Sequence, residues 1–374
     1  TDSNNYSIDT QRPGATIVMS DTALGAGETS TVTITFSEAV SGFSNADLTV
    51  SNGTLSAVSS ADGGITWTAI FTPTAGSNST GNVITLDNSG VVDVAGNSGT
   101  GTTNSSDYSI DTQRPTATVV IGDTALKAGE TSLVTITFSE AVTGFTSEDL
   151  TVSNGTLSAV SSTDGGITWT TTFTPTANIS STNNVITLNS SSVADLAGNT
   201  GTGTTDSNNY SIDTQRPTAT IVISDTTLSI GETSLVTITF SEAVSGFSNA
   251  DLSVSNGTLS TVSSADGGVT WTATFTPRAN TSSTSNVITL NNSGVSDMVG
   301  NTGLGSTDSN NYSIDTQRPG ATITLSDTTL KAGERATVTI TFSEAVTGLD
   351  LNDLRVMNGT LSNLATIDGG ITWT

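Results

Sequence analysis

The chain has 374 residues, with 9 Lys and Arg against 34 Asp and Glu, and its formal net charge at pH 7 is −25. So large an acidic excess argues against nucleic acid and anionic membranes as partners, because both bind basic surfaces. The chain contains no Cys and no His, which excludes disulfides, thiolate and imidazole chemistry, and zinc-type sites. It has no apolar run of about 18 residues, so we expect no direct insertion into a membrane.

One segment, SIDTQRP, begins at Ser7 and returns every 102 residues, at Ser109, Ser211 and Ser313. A fixed spacing of this length indicates a tandem array of structural repeats. The predicted domains are the C-terminal strand of a preceding repeat at 1–9, complete repeats at 10–111, 112–213 and 214–315, and a truncated repeat at 316–374. Because the last of these lacks two strands, we expect it to be poorly stable alone.

Alternation of apolar residues with Thr predicts the strands of the first complete repeat. VTITF at Val32–Phe36 alternates in this way, and ITWTAIF at Ile65–Phe71 places Ile65, Trp67, Ala69 and Phe71 on one face. The turn Asp62-Gly63-Gly64 is typical of a hairpin. In chain order, strands A to G are predicted at 15–20, 29–37, 47–51, 54–60, 65–72, 82–87 and 101–110.

Seven short antiparallel strands in about 100 residues are typical of an immunoglobulin-like β-sandwich. A single sheet would leave one apolar face in water. We therefore predict an all-β chain of tandem seven-stranded sandwiches, arranged end to end as a rod. The predicted core of the first complete repeat is Ile17, Val32, Ile34, Phe36, Leu48, Val50, Leu55, Trp67, Phe71, Ile84, Leu86, Tyr108 and Ile110.

Acidic and amide side chains collect at one end of each predicted sandwich, because alternating strand directions bring three loops and the incoming connector together there. Carboxylates that converge repel one another unless a cation neutralises them. Ca²⁺ takes about six to eight oxygen ligands of mixed kind, whereas Mg²⁺ requires a tighter octahedron, so we predict Ca²⁺ at or near the inter-domain joints. The predicted metal ligands are Asp9, Glu38, Asp47, Asp93, Asn97, Asp111, Glu140, Asp149, Asp195, Asn199, Asp213, Glu242, Asp251, Asp297, Asn301, Asp315, Glu344 and Asp353.

Several acids have a simpler interpretation. Asp62 is better explained as a turn former than as a ligand, and Asp21 and Glu28 as solvated turn residues at the opposite end. Asp47 serves equally well as a turn cap or as a ligand. Arg12, the only basic residue of its repeat, is placed to pair with an acid at the joint.

The sequence resembles a known family through the segments IDTQRPTATIVISDTTL, VTITFSEAV, LTVSNGTLS, DGGITW, DVAGN and TDSNNYSID. These are similar to the bacterial Ig-like tandem repeats of giant RTX-type surface adhesins, especially the calcium-dependent extender repeats of an ice-binding adhesin from an Antarctic marine bacterium. The likeness covers the whole chain. It implies calcium-dependent sandwiches that project a ligand-binding tip from the cell, with calcium on the connector Asp, the FSEAV Glu and the D-x-A-G-N loop. Met298-Val299 in place of Leu196-Ala197, and Arg355, depart from the pattern.

The repeat pattern bears on three classes of function. The first is a structural extender of a bacterial cell-surface adhesin: extracellular, a monomeric rod, with neighbouring repeats of the same chain as its partners. The alternative is a repeated binding module that contacts a carbohydrate, ice or a partner adhesin through the sandwich surface or loops, although Thr-rich strands are common for other reasons. We predict no enzyme, since the acids recur in every repeat rather than forming one active site.

Overall fold

The computed structural model describes residues 4–374 and divides the chain into two compact units, one ending at Gln215 and one starting at Arg216. Its regular structure consists of β-strands and single-turn 3₁₀ helices, so the prediction of an all-β chain of tandem sandwiches is confirmed. In this part of the chain, no helix is long and apolar enough to cross a membrane.

The first complete repeat contains thirteen short strands and two 3₁₀ helices, at Asn45–Asp47 and Asn88–Gly90. The strands are β1 Ala15–Met19, β2 Ala23–Leu24, β3 Ser30–Phe36, β4 Val40–Ser41, β5 Leu48–Thr49, β6 Gly53–Leu55, β7 Ser59–Ser60, β8 Thr66–Pro73, β9 Asn78–Asn82, β10 Thr85–Asp87, β11 Val92–Asp93, β12 Thr102–Asn104 and β13 Tyr108–Asp111.

These strands form two layers around one core. One layer has the order β1-β3-β8-β6, with β7 also paired to β8, and its register sets Ile17 opposite Ile34 and Ile34 opposite Trp67. The other layer consists of β12-β10-β5 and β2-β13-β9, in which β2 runs parallel to β13. The pair β4-β11 closes the end that faces the incoming connector.

The predicted strands F and G are each interrupted. The register between β13 and β9 shifts between Tyr108 and Ile110, and the chain passes from the β12-β10 pairing to the β13-β9 pairing. Such a bulge bends a strand, and alternation alone does not reveal it. Strand F thus corresponds to β9 and β10 and strand G to β12 and β13, and predicted strand D is likewise divided into β6 and β7.

The core contains every residue predicted for it, although Leu48, Val50, Leu55 and Trp67 are only partly buried. The structure adds Met19, Leu24, Val40, Phe43 and Val91. Ile65 was predicted to start strand E on the same face as Trp67. In the structure β8 starts at Thr66, and Ile65 lies in the turn, 40% exposed, where its N–H donates to Asp62.

The second sandwich, also in the first unit, has the same arrangement of strands as the first, with 3₁₀ helices at Ser147–Asp149 and Ser190–Ser192. Its strands are β14 Ala117–Ile121, β15 Ala125–Lys127, β16 Ser132–Phe138, β17 Val142–Thr143, β18 Leu150–Val152, β19 Gly155–Leu157, β20 Ser161–Ser162, β21 Thr168–Pro175, β22 Ser180–Asn184, β23 Ile186–Asn189, β24 Ala194–Asp195, β25 Thr204–Asp206 and β26 Tyr210–Asp213.

The second unit holds a third sandwich of the same topology, with 3₁₀ helices at Asn249–Asp251 and Asn292–Gly294. Its strands are β27 Ala219–Ile223, β28 Thr227–Leu228, β29 Ser234–Phe240, β30 Val244–Ser245, β31 Leu252–Val254, β32 Gly257–Leu259, β33 Ser263–Ser264, β34 Thr270–Pro277, β35 Ser282–Asn286, β36 Ile288–Asn291, β37 Ser296–Asp297, β38 Ser306–Asp308 and β39 Tyr312–Asp315.

Residues 316–374 form one small sheet and a 3₁₀ helix at Leu351–Asp353. The sheet has the order β40 Ala321–Leu325, β41 Val338–Phe342 and β42 Thr372–Trp373. Ile340, at 2% exposure, is the one buried apolar side chain of these residues, all of which the structure describes. With no second layer to cover it, β40 is exposed along its length.

Candidate metal centre

Three carboxylates from separate segments meet at the connector before the first sandwich. Asp9 lies in the connector, Glu38 follows the end of β3, and Asp93 ends β11. One oxygen of each lies within 4.8 Å of the others. The pairing of β4 with β11, which sets Val40 opposite Asp93, holds Glu38 and Asp93 at the same end of the sandwich.

The connector between the first and second repeats carries the same cluster. Asp111 ends β13, Glu140 follows β16, and Asp195 ends β24 opposite Val142. Their carboxylate oxygens again lie within 4.8 Å of one another. The strand directions predicted from the sequence thus bring the same three kinds of residue together at two successive connectors.

The two kinds of carboxylate within a cluster have different electrostatic surroundings. Partial burial and the charges of Asp9 and Asp93 raise the pKa of Glu38, and burial with Asp195 and Asp111 raises that of Glu140. Asp93 is only 2% exposed. Burial opposes its ionisation, but hydrogen bonds from the Asn97 side chain and from the backbone of residues 95–97 outweigh burial and lower its pKa.

The loop asparagine of each repeat holds the buried carboxylate. Asn97 donates its backbone N–H and its side-chain Nδ2 to Asp93 at 2.7 Å each, and Nδ2 also donates to the carbonyl of Asp9. Asn199 makes the equivalent bonds to Asp195 and Asp111. The amide nitrogen of this residue therefore faces the carboxylate. Both asparagines orient a candidate ligand through their N–H groups, and their own binding of a metal stays a prediction.

The later predicted ligands occupy corresponding places within their own units. In the second unit, Asn301 donates its backbone N–H and Nδ2 to Asp297, at 2.8 and 2.7 Å. Glu242 follows β29, and Glu344 follows β41. Asp213 ends β26 in the first unit and Asp315 ends β39 in the second, and each accepts a hydrogen bond from the N–H two residues later.

Asp47 and its copies lie outside these clusters. Asp47 is the last residue of a 3₁₀ helix and completes a capping box, with its Oδ2 accepting the N–H of Ser44 at 2.8 Å. The same capping box recurs at Asp149, Asp251 and Asp353. Of the two interpretations that the sequence left open for Asp47, the geometry favours the cap.

Two further sequence interpretations concern single residues. Asp62 accepts hydrogen bonds from Ser60 and from the N–H groups of Ile65 and Thr66, and these bonds lower its pKa to about 2. It is a turn former, as predicted. Arg12 donates to the backbone carbonyl of Ser98 at 2.7 Å, rather than to the carboxylate that the sequence suggested.

One contact at the joint between the first two repeats was missed by sequence reasoning. The backbone N–H of Ala26, in the turn between β2 and β3, donates to Asn199 Oδ1 at 2.5 Å. A side chain at Gly25 would lie 3.2 Å from the carbonyl of Ala197. The only signal in the sequence is the small residue at position 25, where the other repeats carry Lys127, Ser229 and Lys331.

The donor set fits a hard cation. Each cluster offers three carboxylates, one of them nearly buried and already oriented by amide donors. Burial and mutual repulsion together raise the pKa of Glu38 and Glu140, and a cation would relieve the repulsion. Since the chain has no His and no Cys, oxygen-ligated ions such as Ca²⁺ suit these residues better than zinc or copper.

The model of the bacterial Ig-like domain family matches residues 9–110, 111–212, 213–314 and 315–374. The chain belongs to this family. The four matches follow one another without a gap, and each starts at a connector. The described strands and the family agree on tandem Ig-like sandwiches.

Solved structures similar to this bacterial Ig-like chain include two bacterial adhesins. The Escherichia coli adhesin FdeC is 15% identical with a TM-score of 0.30, and the match covers 80% of this chain and 96% of FdeC. The Yersinia pseudotuberculosis adhesin InvE is 16% identical with a TM-score of 0.23, over 52% of this chain and 58% of InvE. A marsupial T cell receptor is 12% identical with a TM-score of 0.23, over 75% and 95%. No curated protein matches the chain.

Proposed function

We propose that the chain is a structural extender segment of a bacterial cell-surface adhesin, stiffened by Ca²⁺ bound beside its connectors. The observation that carries this proposal is the recurrence of one three-carboxylate cluster at successive connectors, built each time from the connector Asp, the Glu after the second long strand and the Asp of the last loop. A cluster that recurs in successive repeats favours a structural role in each repeat over a single active site.

The proposed ligands are the carboxylates of each cluster, with Asn97 and Asn199 as residues that orient them. When bound, Ca²⁺ would supply the positive charge that the cluster lacks. The remaining ligands would be backbone carbonyls and water, which Ca²⁺ accepts readily in irregular loops. Asp9 and Asp111 lie in the connectors themselves, so an ion bound there would restrain the connector against the sandwich that follows it.

An extracellular location follows from this chemistry. Extracellular modules bind Ca²⁺ with dissociation constants of about 0.1–1 mM, so such repeats would be loaded outside the cell and empty in the cytosol. On this proposal the chain acts as a monomer, its neighbouring repeats are its main partners, and an RTX-type adhesin with a distal ligand-binding region is the whole protein.

Calcium titration and small-angle scattering of the whole chain test this function. We expect calorimetry to detect Ca²⁺ binding that is lost in the triple variant Glu38→Gln, Glu140→Gln, Glu242→Gln. The control, Asp21→Asn, Asp123→Asn, Asp225→Asn, makes the same change in charge at turns outside the clusters and should keep the binding. Small-angle scattering should show a narrower distribution of molecular dimensions in Ca²⁺ than in chelator. Mg²⁺ should give the same distribution as chelator. Binding that survives the triple variant would contradict the proposal.

A repeated binding module is the second candidate, and one surface supports it. On the outer face of the β1-β3-β8 sheet, Thr16, Thr35 and Thr66 form a cross-strand row beside Val18, Thr33 and Thr68. The corresponding Val120 and Val222 are more than half exposed. In so acidic a chain, an uncharged sheet face suits an uncharged polymer. Retention on insoluble polysaccharide, abolished by Thr33→Lys and unaffected by chelator, would favour this function over the extender.

A further inference from the structure

One buried amide at the joint between the first and second repeats contacts both of them. Asn199 is 2% exposed and uses both ends of its side chain. Nδ2 donates to Asp195 Oδ2 at 2.7 Å and to the carbonyl of Asp111 at 2.8 Å. Oδ1 accepts the N–H of Ala26 at 2.5 Å. One side chain thus joins the connector, a candidate ligand and the preceding repeat.

The polarity of this amide is fixed by its partners. A carboxylate and a carbonyl can only accept, so Nδ2 must face Asp195 and Asp111. A backbone N–H can only donate, so Oδ1 must face Ala26. Flipping the amide would break all three hydrogen bonds at once. The position of the turn containing Ala26 and the orientation of the Asp195 carboxylate are therefore not independent.

The turn lies close to the loop of the second repeat at residue 25, which is glycine. A Cβ atom there would lie 3.2 Å from the Ala197 carbonyl and 3.3 Å from Asn199 Oδ1, which is tighter than ordinary van der Waals contact. Gly25 does not have the positive φ that only glycine adopts easily. A larger residue would therefore crowd Ala197 and Asn199 of the second repeat, together with the Glu28 carboxylate of its own turn, without straining the backbone at residue 25.

We propose that Asn199 is a positioning residue that couples cation binding at Asp111, Glu140 and Asp195 to docking of the Ala26 turn of the preceding repeat. This inference rests on the proposed calcium function. Linkage requires the coupling to be reciprocal: a docked turn strengthens cation binding, and a bound cation strengthens docking. The bound cation and the turn of the preceding repeat would together fix the geometry of the joint.

The test uses the whole chain with Glu38→Gln and Glu242→Gln, so that binding reports on the Glu140 cluster. In this background, Gly25→Val and the milder Gly25→Ser, which matches Ser229 of the third repeat, crowd the contact without changing a carboxylate. The control is Gly14→Thr, where a Cβ meets nothing within 4 Å and the second repeat carries Thr116. Calcium affinity is measured by calorimetry, and the opening of residues 24–29 by hydrogen exchange.

We expect Gly25→Val to raise the calcium dissociation constant about fivefold, the lower end of ordinary coupling between sites. Gly25→Ser should have a smaller effect and Gly14→Thr none. Calcium should slow exchange at residues 24–29 in the background chain but not in Gly25→Val. Calcium binding with equal affinity in all variants, with exchange unaffected by calcium, would overturn the coupling and leave the calcium function intact. Absence of calcium binding in the background chain would overturn both.

Discussion

At the scale of single residues, each cluster combines a carboxylate that is held with one that is repelled. Asp93 is buried but accepts several N–H donors, which keep its pKa low. Glu38 is partly buried beside two acids, and burial and their charges raise its pKa. The same sandwich end thus fixes one oxygen ligand in place and leaves a second charge uncompensated. One oriented carboxylate and one uncompensated negative charge together suit a cation-binding site.

Glu140→Gln should have opposite effects on the stability of the calcium-free chain and on the stabilisation gained from calcium. Removing a charge that is partly buried and repelled by Asp195 and Asp111 should stabilise the calcium-free chain by about 0.5 kcal/mol, a shift in Tm of about 2–4 °C. The same change should reduce the stabilisation gained from calcium. Thermal melts in chelator and in calcium measure both effects. Glu148→Gln, at an exposed position of the same repeat, is the control and should change neither melt.

Asp62→Asn tests the turn between β7 and β8. The pKa of Asp62 is lowered to about 2 by hydrogen bonds from Thr66, Ser60 and Ile65. A lowered pKa contributes stability that is present above about 3.8 and is lost as pH falls toward 2. The variant should therefore be less stable than the parent at pH 6 and equal to it near pH 2, as measured by urea unfolding. The prediction would be contradicted if the difference in stability between variant and parent stayed constant down to pH 2. It would also be contradicted if the exposed control Asp107→Asn lost stability with the same dependence on pH.

At the scale of elements, regular alternation was enough to predict β3, β8 and most of the core. Leu24, Phe43 and Val91 were missed because they lie in segments too short to show a period. The meeting of Asp9, Glu38 and Asp93 followed from strand direction alone, since those residues sit where strands or connectors end.

Two features of the site could not be predicted, for different reasons. Asp47 belongs to a local capping box, and nothing in its spacing distinguishes a cap from a ligand. The role of Asn199 depends on a turn 173 residues earlier in the chain, in another repeat. Contacts between repeats leave no periodic signal within one repeat.

Gly53→Ala tests how tightly β6 packs on the sheet. A Cβ at Gly53 would lie 2.3 Å from the Phe71 ring and 2.8 Å from the Thr72 carbonyl. Since Phe71 is fully buried and cannot move away, we expect a loss of about 1–3 kcal/mol in unfolding free energy. Urea unfolding measures it, and Gly14→Ala, which meets nothing, should be near neutral. Equal stability of the two variants would show that the edge strand yields.

At the scale of the whole molecule, the candidate ligands lie apart from the uncharged face of the β1-β3-β8 sheet and its copies in every complete repeat. The candidate ligands lie in loops and connectors, whereas the outer strand rows carry Thr and Val. A net charge of −25 disfavours the compact state through self-repulsion, so the chain should depend on counter-ions for part of its stability. Specific sites at the connectors would direct that dependence to calcium.

The central claim is tested most directly by thermal melts of the whole chain at pH 7 in calcium, magnesium and chelator at equal ionic strength. At a hundredfold excess over Kd, each calcium site adds about 2.7 kcal/mol, a shift on the order of 10 °C for repeats of this size. We predict such a rise with calcium alone, and its loss in the variant Glu38→Gln, Glu140→Gln, Glu242→Gln. Superimposable melts in the three solutions would mean that the carboxylate clusters are solvated acids and that calcium does not stiffen the chain.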